Sequence, residues 1–397
     1  MQRAFPNNII YIPPDGTGQA QSHLQRTLSA PLISPRPFWV ANAPPTIGPH
    51  QSFPPLQPGQ QLPNITNTLQ APNPLQGPNI PQTGTRNNPK MSGTVSNVSV
   101  AHRYTRLRTL NRGGGFNEAI YLVRHNTNRK IYVCKTITTS RGATRRHWER
   151  EINMMRKLNS HPNICQLHEA SLTNDGAALY MECCDMGSVW DFVRTMANNR
   201  QVIPEPFAWH VLLSLTAALC WMHTGFDSYT EAAATSRKVK SGWRTILHRD
   251  MKPDNVFFKH VPPTTLFAHN FPVVKLGDFG LSIYKDEYSN QSLASRNCGY
   301  LPWVAPEFPN CGERADVYGV AGIVRAMCVM DPTRAEPGRP ILSSYSRELQ
   351  RILDGGTAQR RDHRPYAKEY FLEVHEKSWS RINDVRIPSW AYKRVTS

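Results

Sequence analysis

The spacing of apolar residues changes its period along the chain, and each period predicts a different kind of element. Apolar and polar positions alternate over Tyr104–Leu110, Ile120–Arg124 and Lys130–Thr136, which is typical of β-strands. Short turns separate the three stretches, so we expect three antiparallel strands. The spacing becomes helical over His147–Met155, where apolar residues recur three and four positions apart.

The longest apolar stretch runs from Phe207 to Phe226. It contains His210, Ser214 and Thr216, and it therefore predicts a buried helix of a folded domain over Phe207–Met222. We expect no transmembrane span.

Proline is concentrated at the start of the chain, where residues 1–89 hold 18 of the 33 prolines. They are mixed with Asn, Gln, Ser and Thr, and almost no periodic apolar run accompanies them. Such a segment buries too little apolar surface to offset its ordering entropy, so we expect a disordered tail over residues 1–100. Ser34–Pro37 and Pro54–Pro58 suit a partner's aromatic groove as extended ligands. A solvated tail without a dedicated partner explains the composition equally well.

The formal net charge of +17 is large enough to suggest nucleic acid, an acidic membrane surface or acidic substrates as partners. We find no nucleic-acid recognition motif, and aromatic residues are not interleaved with the basic runs as stacking on bases requires. The basic runs are local, over residues 141–150 and 237–240. We interpret each as a solvated face rather than a docking patch.

The eight cysteines all fall between Cys134 and Cys328, and none forms a C-x-x-C pair. The N-terminus shows no apolar signal segment led by Arg or Lys. Together these features predict reduced thiols and a cytoplasmic or nuclear protein.

Two short motifs carry the chemistry. Residues 248–255 read H-R-D-M-K-P-D-N, and residues 278–280 read D-F-G. In this order they resemble the catalytic loop and the metal-binding motif of eukaryotic-type Ser/Thr protein kinases. The glycine loop, which reads G-G-F-N-E, and the loop insertions look most like those of divergent kinases of filamentous fungi.

The resemblance assigns a role to each polar residue of these motifs. Phosphoryl transfer to a hydroxyl needs a carboxylate that orients the attacking oxygen, a cation beside the transferring phosphate, and oxygen ligands for Mg²⁺. Asp250 is the implied catalytic carboxylate and Lys252 is the implied cation. Asn255 and Asp278 are the implied Mg²⁺ ligands.

Upstream, Lys135 ends the sequence Y-V-C-K on the third predicted strand, and this sequence resembles the V-A-I-K motif whose lysine contacts the phosphates of ATP. The resemblance implies that Glu151, on the following helix, forms an ion pair with Lys135. Glu149 is the alternative partner, because Ile152 and Met155 must face the core of that helix.

Gly113, Gly114 and Gly115 lie between the first two predicted strands. Glycines allow backbone amides to approach phosphates closely, so we interpret this stretch as a phosphate-binding loop. The fit to G-x-G-x-x-G is imperfect, because Glu118 stands at the place of the third glycine. A plain hairpin turn is the alternative.

Residues 179–188 resemble the end of the fifth strand and the hinge that contacts adenine. By this resemblance Met181 is the gatekeeper, the backbone from Glu182 to Cys184 faces adenine, and Ser188 lies near the ribose. Ordinary strand and turn residues would explain the same positions.

Residues 298–307 resemble the end of an activation segment and close on A-P-E. Tyr300 stands where Ser/Thr kinases usually carry threonine, whereas the lysine of the catalytic loop is typical of Ser/Thr kinases, and we follow the lysine. Phosphorylation of Ser295, or else of Ser292, would place a phosphate against Arg249. An unmodified polar loop is the alternative.

Three further features follow from the resemblance. Asp316 is expected to brace the catalytic loop, and Arg364 is expected to pair with Glu307. Residues 225–243 and 259–271 are longer than the corresponding links of the family, and we expect both to be surface loops.

The predicted fold class is therefore α+β, a bilobal protein kinase fold with a small β-rich lobe and a larger helical lobe. The predicted boundaries are a tail over 1–100, an N-lobe over 101–182, a C-lobe over 183–372 and a C-terminal tail over 373–397. The implied function is Mg²⁺-dependent transfer of the γ-phosphoryl group of ATP to a hydroxyl of a protein substrate. Two alternatives remain open: a pseudokinase scaffold without efficient catalysis, and an interaction platform that works through the proline-rich tail.

Overall fold

The computed structural model describes residues 100–111, 117–260, 271–287, 299, 303–309, 311–333, 338–382 and 385–396. Several predicted features lie outside these residues. They are the tail before Val100, the glycine stretch, most of the insertion over 259–271, and the serines expected in the activation segment.

A five-stranded antiparallel sheet forms the smaller lobe, with the strand order β1-β2-β3-β5-β4. The strands are β1 Tyr104–Asn111, β2 Asn117–His125, β3 Ile131–Thr138, β4 Leu167–Leu172 and β5 Gly176–Glu182. The three strands predicted from alternation are present and somewhat longer than predicted. Because successive side chains of a strand point to opposite faces, Lys135 lies on the face of β3 opposite to Tyr132 and Cys134.

Helix α1, Arg145–Leu158, follows β3. Its buried apolar residues include Trp148, Ile152, Met155 and Leu158, which recur three or four positions apart as in an amphipathic helix. Glu151 lies next to this stripe and is only 3% exposed. The helix therefore carries one carboxylate into the interior.

The larger lobe is helical. Its helices within the described residues are α2 Val189–Asn198, α3 Glu205–Thr224, α4 Tyr229–Ala233, α5 Glu313–Val329, α6 Arg347–Gly356 and α7 Ala367–Ser378. Helix α3 is long and apolar enough to cross a membrane, but 16 of its 20 residues are buried against the rest of the lobe. It is the core helix that the sequence predicts.

The stretch 225–243 differs from the prediction of a plain surface loop. It contains α4, which begins after Ser228, whose side chain caps the helix. Ala232 is fully buried, and Tyr229 stacks on His375 of α7 with 4.0 Å between ring centroids. A helix of five residues is too short to leave a periodic apolar signal, so the pattern could not reveal it.

Four short strands set the two chemical motifs side by side. They are β6 Ile246–Leu247, β7 Val256–Lys259, β8 Val273–Leu276 and β9 Ile283–Tyr284. β6 pairs with β9, and β7 pairs with β8. The catalytic loop connects β6 to β7 and the D-F-G motif connects β8 to β9, so the strand pairs hold the two turns next to each other.

The end of the chain is more ordered than the predicted C-terminal tail implies. The sequence placed the end of the C-lobe at residue 372, but α7 continues to Ser378. Farther on, Ala391 is fully buried and Tyr392 is only 7% exposed. The residues that surround them belong to the packed structure.

Candidate active site

Asp316 on α5 holds the backbone of the catalytic loop. Its carboxylate accepts hydrogen bonds from the N–H of His248 at 2.8 Å and from the N–H of Arg249 at 2.9 Å. His223 Nε2 lies 3.0 Å from the same carboxylate. Burial alone would raise the pKa of Asp316, but His223 and the backbone donors lower it. The predicted bracing of the loop by Asp316 is confirmed.

Each motif contains a residue in the left-handed region of backbone space, Arg249 with φ 70° and Asp278 with φ 61°. Such a conformation costs about 1 kcal/mol or more for a residue other than glycine. Bonds between the motifs hold it in place: His248 Nε2 lies 3.1 Å from the carbonyl oxygen of Gly277, and the N–H of Gly277 donates to Asn255 O at 2.9 Å.

Asp250, Lys252 and Asn255 form one connected group. Lys252 Nζ and Asn255 Nδ2 donate to Asp250 Oδ2 at 2.8 and 2.9 Å, and Asn255 Nδ2 also donates to the carbonyl oxygen of Asp250 at 2.8 Å. The other carboxylate oxygen, Asp250 Oδ1, is buried and has no hydrogen-bond partner among the described residues. A buried acceptor of this kind is costly unless a ligand pairs with it.

Lys135 of the smaller lobe pairs with two carboxylates, and one of them, Asp278, belongs to the larger lobe. Its Nζ lies 2.7 Å from Glu151 Oε1 and 2.8 Å from Asp278 Oδ1. Burial opposes the charge on Lys135, yet Asp278 and Glu151 raise its pKa above the usual range. Burial would also raise the pKa of Asp278, but Lys135 lowers it to about 2. Both groups are therefore charged at neutral pH.

The alternative partner of Lys135 lies elsewhere on α1. Glu149 pairs with Arg145 at 2.7 Å on the helix surface, where the two side chains are 41% and 70% exposed. Glu151 is therefore the glutamate that meets Lys135.

The hinge residues predicted to face adenine sit at the end of β5. Met181 is opposite Val133 of β3. The Glu182 side chain pairs with Lys275 at 2.7 Å and with Lys259 at 2.5 Å, and its N–H donates to a neighbouring carbonyl. The side chain of Glu182 thus ties the hinge to β7 and β8, and contact of its backbone with adenine stays a prediction.

Ser188 has a structural task that the sequence analysis missed. Its hydroxyl accepts from the N–H of Asp191 at 3.1 Å and lies 3.0 Å from Asp191 Oδ2, so it caps α2. A serine followed by an acidic residue three positions later is a typical helix start, and this signal was available. Cys184 is buried, and its hydrogen bond with Cys165 and its burial raise the pKa of its thiol.

Glu307 and Arg364 form the predicted ion pair. Arg364 Nη1 and Nη2 donate to the two carboxylate oxygens at 2.8 Å each. Arg364 is only 1% exposed, and its remaining donors bind carbonyl oxygens, including that of Arg314 at 3.0 Å. The pair fixes the A-P-E turn to the helical lobe.

Arg150 is the neighbour of Glu151 on α1, but the charges around it differ from those around Glu151. Its Nη2 is buried and lacks a hydrogen-bond partner within the described part of the chain. Its pKa is lowered by burial and by the nearby cations Arg146 and Arg249, and Glu287 only partly opposes this effect. Around Arg150 the cations outnumber the carboxylates, which favours an anion beside its unpaired donor.

Sequence reasoning missed His223, Arg150 and the segment around Tyr392. His223 ends an apolar helix, and a polar ring in that position was a usable signal. Arg150 lies in a basic run that we interpreted as a solvated face, and periodicity alone did not separate it from its exposed neighbours. In the described residues no group of three or more His, Cys, Asp or Glu side chains could hold a metal ion.

Comparison with known proteins identifies the class to which this arrangement belongs. The family model of the protein kinase domain matches residues 104–386, more than half of the chain. The chain therefore belongs to the protein kinase domain family. It is a divergent member of the eukaryotic-type Ser/Thr kinases, as the motifs predicted.

Several individual kinases are similar to this chain over part of their length. One is the G2-specific protein kinase nim-1 of Neurospora crassa, 30% identical over 244 residues, 58% of this chain and 26% of the relative. The serine/threonine-protein kinase Nek2 of Mus musculus is 30% identical over 187 residues, 46% of this chain and 36% of the relative. The G2-specific protein kinase nimA of Emericella nidulans is 28% identical over 241 residues, 54% of this chain and 32% of the relative. The chain thus matches no more than 36% of the length of these three relatives.

Proposed function

We propose that this protein is a Mg²⁺-dependent Ser/Thr protein kinase that transfers the γ-phosphoryl group of ATP to a hydroxyl of a protein substrate. The observation that supports the proposal most strongly is that two sets of hydrogen-bonded, charged side chains lie next to each other, one around Asp250 and one around Asp278. Asp250 is bonded to Lys252 and Asn255, and Asp278 is bonded to Lys135, which Glu151 holds. Asp250 lies on the catalytic loop and Asp278 on the D-F-G turn, which the short strand pairs hold next to each other.

Asp250 orients the acceptor hydroxyl in this proposal. Its Oδ2 is occupied by Lys252 and Asn255, whereas Oδ1 is the oxygen that the described residues leave for the substrate. Lys252 holds its charge beside that position and offsets the negative charge of the transferring group.

The residues present suit a hard cation. Asn255 commits its amide nitrogen to Asp250, which leaves the amide oxygen as its ligand atom, and Asp278 stays anionic because its pKa is about 2. Amide and carboxylate oxygens are ligands that Mg²⁺ accepts. When bound, Mg²⁺ would supply positive charge to the β- and γ-phosphates.

Lys135 positions the nucleotide. Glu151 and Asp278 keep its ammonium group charged and fixed beside β3, where it would contact the α- and β-phosphates. Gly113, Gly114 and Gly115, the backbone from Glu182 to Cys184, and Ser188 complete the proposed ATP site.

Radiolabelled ATP, Mg²⁺ and a generic basic protein substrate test the proposal with the full chain. We expect transfer to serine or threonine, loss of transfer on chelation, and loss of at least about a thousand-fold in kcat for Asp250→Asn. Removal of residues 1–100 should leave transfer intact, which separates an enzyme from an interaction platform. Nucleotide binding without any transfer by the wild-type protein would favour the pseudokinase instead.

A further inference from the structure

Residues 388–396, named here the C-terminal strap, lie against the hinge and the start of α2. The N–H of Val395 donates to the carbonyl oxygen of Asp185 at 2.9 Å. Lys393 Nζ lies 3.1 Å from Asp191 Oδ1. The strap therefore contacts both the hinge backbone and the helix that Ser188 caps.

Tyr392 anchors the strap in the helical lobe. Its ring stacks on Phe192 with 5.1 Å between centroids and meets the edge of Phe258 at 5.6 Å. It is 7% exposed, and an aromatic residue buried to this degree contributes strongly to packing. The position of the three residues that follow is set by this anchor.

Gly187 shows how closely the strap approaches the hinge. Its φ is 82°, and a Cβ atom placed there would lie 2.9 Å from the carbonyl oxygen of Lys393. A residue other than glycine would be strained and would push the strap away. Hinge and strap are thus in direct backbone contact.

The smaller lobe contacts the strap at Val395. Arg108 of β1 donates from Nη2 to the carbonyl oxygen of Val395. Val395 is therefore bonded to the hinge through its N–H and to the smaller lobe through its carbonyl oxygen, while Lys393 pairs with Asp191 in the larger lobe.

We propose that Arg108 and Lys393 are positioning residues for the nucleotide, acting through the strap. Lys393 binds Asp191 Oδ1, while Asp191 Oδ2 bonds to Ser188, so loss of Lys393 frees the Asp191 carboxylate to rotate. Loss of Arg108 frees the carbonyl oxygen of Val395 and loosens the strap where it meets the hinge backbone at Asp185. The proposal rests on the proposed function, because that function places Ser188 and the hinge backbone at the nucleotide.

Stability and positioning are separable here. Lys393 and Asp191 have side chains that are 66% and 30% exposed, and an exposed ion pair adds little to folding stability. Substitution of Lys393 should therefore change nucleotide binding while the melting temperature hardly moves. A merely structural residue would show the reverse.

The test uses the variants Arg108→Ala and Lys393→Ala and the double variant that combines these two changes. Lys393→Arg serves as the conservative variant, and Arg351→Ala is the matched control. Arg351 is a similarly exposed residue, 55% accessible, and pairs with Glu348 and Glu373 away from the hinge. We expect the KM for ATP and the Kd of a non-hydrolysable ATP analogue to rise about five-fold in each single alanine variant. The KM for a peptide substrate and kcat should stay within about two-fold, and Lys393→Arg should restore the wild-type values.

Hydrogen exchange at residues 183–188 of the nucleotide-free protein gives a second measurement that needs no catalysis. Exchange should be faster in the two alanine variants and unchanged in Arg351→Ala. Unchanged exchange, or an unchanged Kd for the analogue, would overturn the positioning role even if the protein transfers phosphate. A wild-type protein that binds the analogue but transfers nothing would refute the proposed function alone, and the exchange and Kd results would still decide the role of the strap.

Discussion

Arg150 and Glu151 are adjacent on α1, yet they enter opposite electrostatic surroundings. Glu151 meets a cation, Lys135, which also pairs with Asp278. Two cations, Arg146 and Arg249, and one carboxylate, Glu287, act on Arg150, and its buried Nη2 has no hydrogen-bond partner in the described part of the chain. Adjacent residues of one helix thus enter a balanced charge cluster and an unbalanced one, in which three cations face one carboxylate.

The difference shows which cluster is internally paired and which keeps one unpaired donor, Arg150 Nη2, among the described residues. Opposite charges at 2.7 and 2.8 Å stabilise each other and hold Lys135 in place. Like charges brought together raise the energy of the free protein, and an arriving anion repays that energy. The Glu151 side therefore fixes Lys135, and the Arg150 side keeps a donor that an anion could accept from. That this anion is a phosphate of the activation segment stays a prediction.

The largest expected effect comes from breaking the balanced cluster. Lys135→Met should lower kcat/KM by at least about a thousand-fold, since the nucleotide loses its positioned cation, and it should leave the buried Glu151 without its partner. Phosphate transfer assays and a thermal melt would measure both changes. A Glu149→Gln variant is the control, because Glu149 pairs only on the surface. Activity in Lys135→Met close to that of the wild type would refute the proposed site.

An intermediate effect is expected on the unbalanced side. If Ser295 receives a phosphate that Arg249 and Arg150 bind, Ser295→Ala and Arg150→Ala should each lower activity by roughly ten-fold, and the double variant should be no worse than the single ones. Peptide mapping of the active protein would find the phosphate, with Ser292 as the second candidate. Arg145→Ala is the matched control on the same helix. Full activity of Ser295→Ala, with no phosphate between residues 280 and 299, would end this proposal.

The smallest effect concerns the loss of folding stability at acid pH. It distinguishes a charged group that has an ion-pair partner, Asp278, from a buried group that has none among the described residues, His161. Asp278 has its pKa lowered to about 2, so its stabilising charge is present above its unfolded pKa near 3.8 and is lost only as the pH falls toward 2. His161 is the opposite case, because burial lowers its pKa to about 3. Below its unfolded pKa of 6.5 the unfolded chain binds the extra proton, and stability should fall by about 1.4 kcal/mol per pH unit.

Denaturant unfolding at pH 7 and pH 5 checks this prediction. His161→Gln should flatten the dependence on pH, whereas Asp278→Asn should not alter it. An equal slope in the wild type and in His161→Gln would show that other groups control the acid sensitivity.

Much of the fold and the site could be predicted from the sequence, because the informative residues are close together in the chain. The H-R-D-x-K-x-x-N and D-F-G motifs, and the alternation that places Lys135 inward, are local patterns. The carboxylate of Asp316 could be assigned to the loop only through the resemblance, since it lies 68 residues from His248. Arg108 and Val395 are 287 residues apart, and no local period could relate them. The short helix α4 could not be predicted from periodicity, because five residues contain too few apolar positions to define a helix face.

The left-handed backbone of Arg249 has a consequence for engineering the protein. Glycine would adopt its φ of 70° without strain, which would relieve about 1 kcal/mol of backbone energy, but the greater freedom of glycine in the unfolded chain offsets a gain of that size. The same change would also remove a guanidinium that is only 7% exposed and donates to the carbonyl oxygen of Leu281. We therefore expect a search for more heat-resistant variants to retain arginine at this position, although its backbone conformation alone favours glycine.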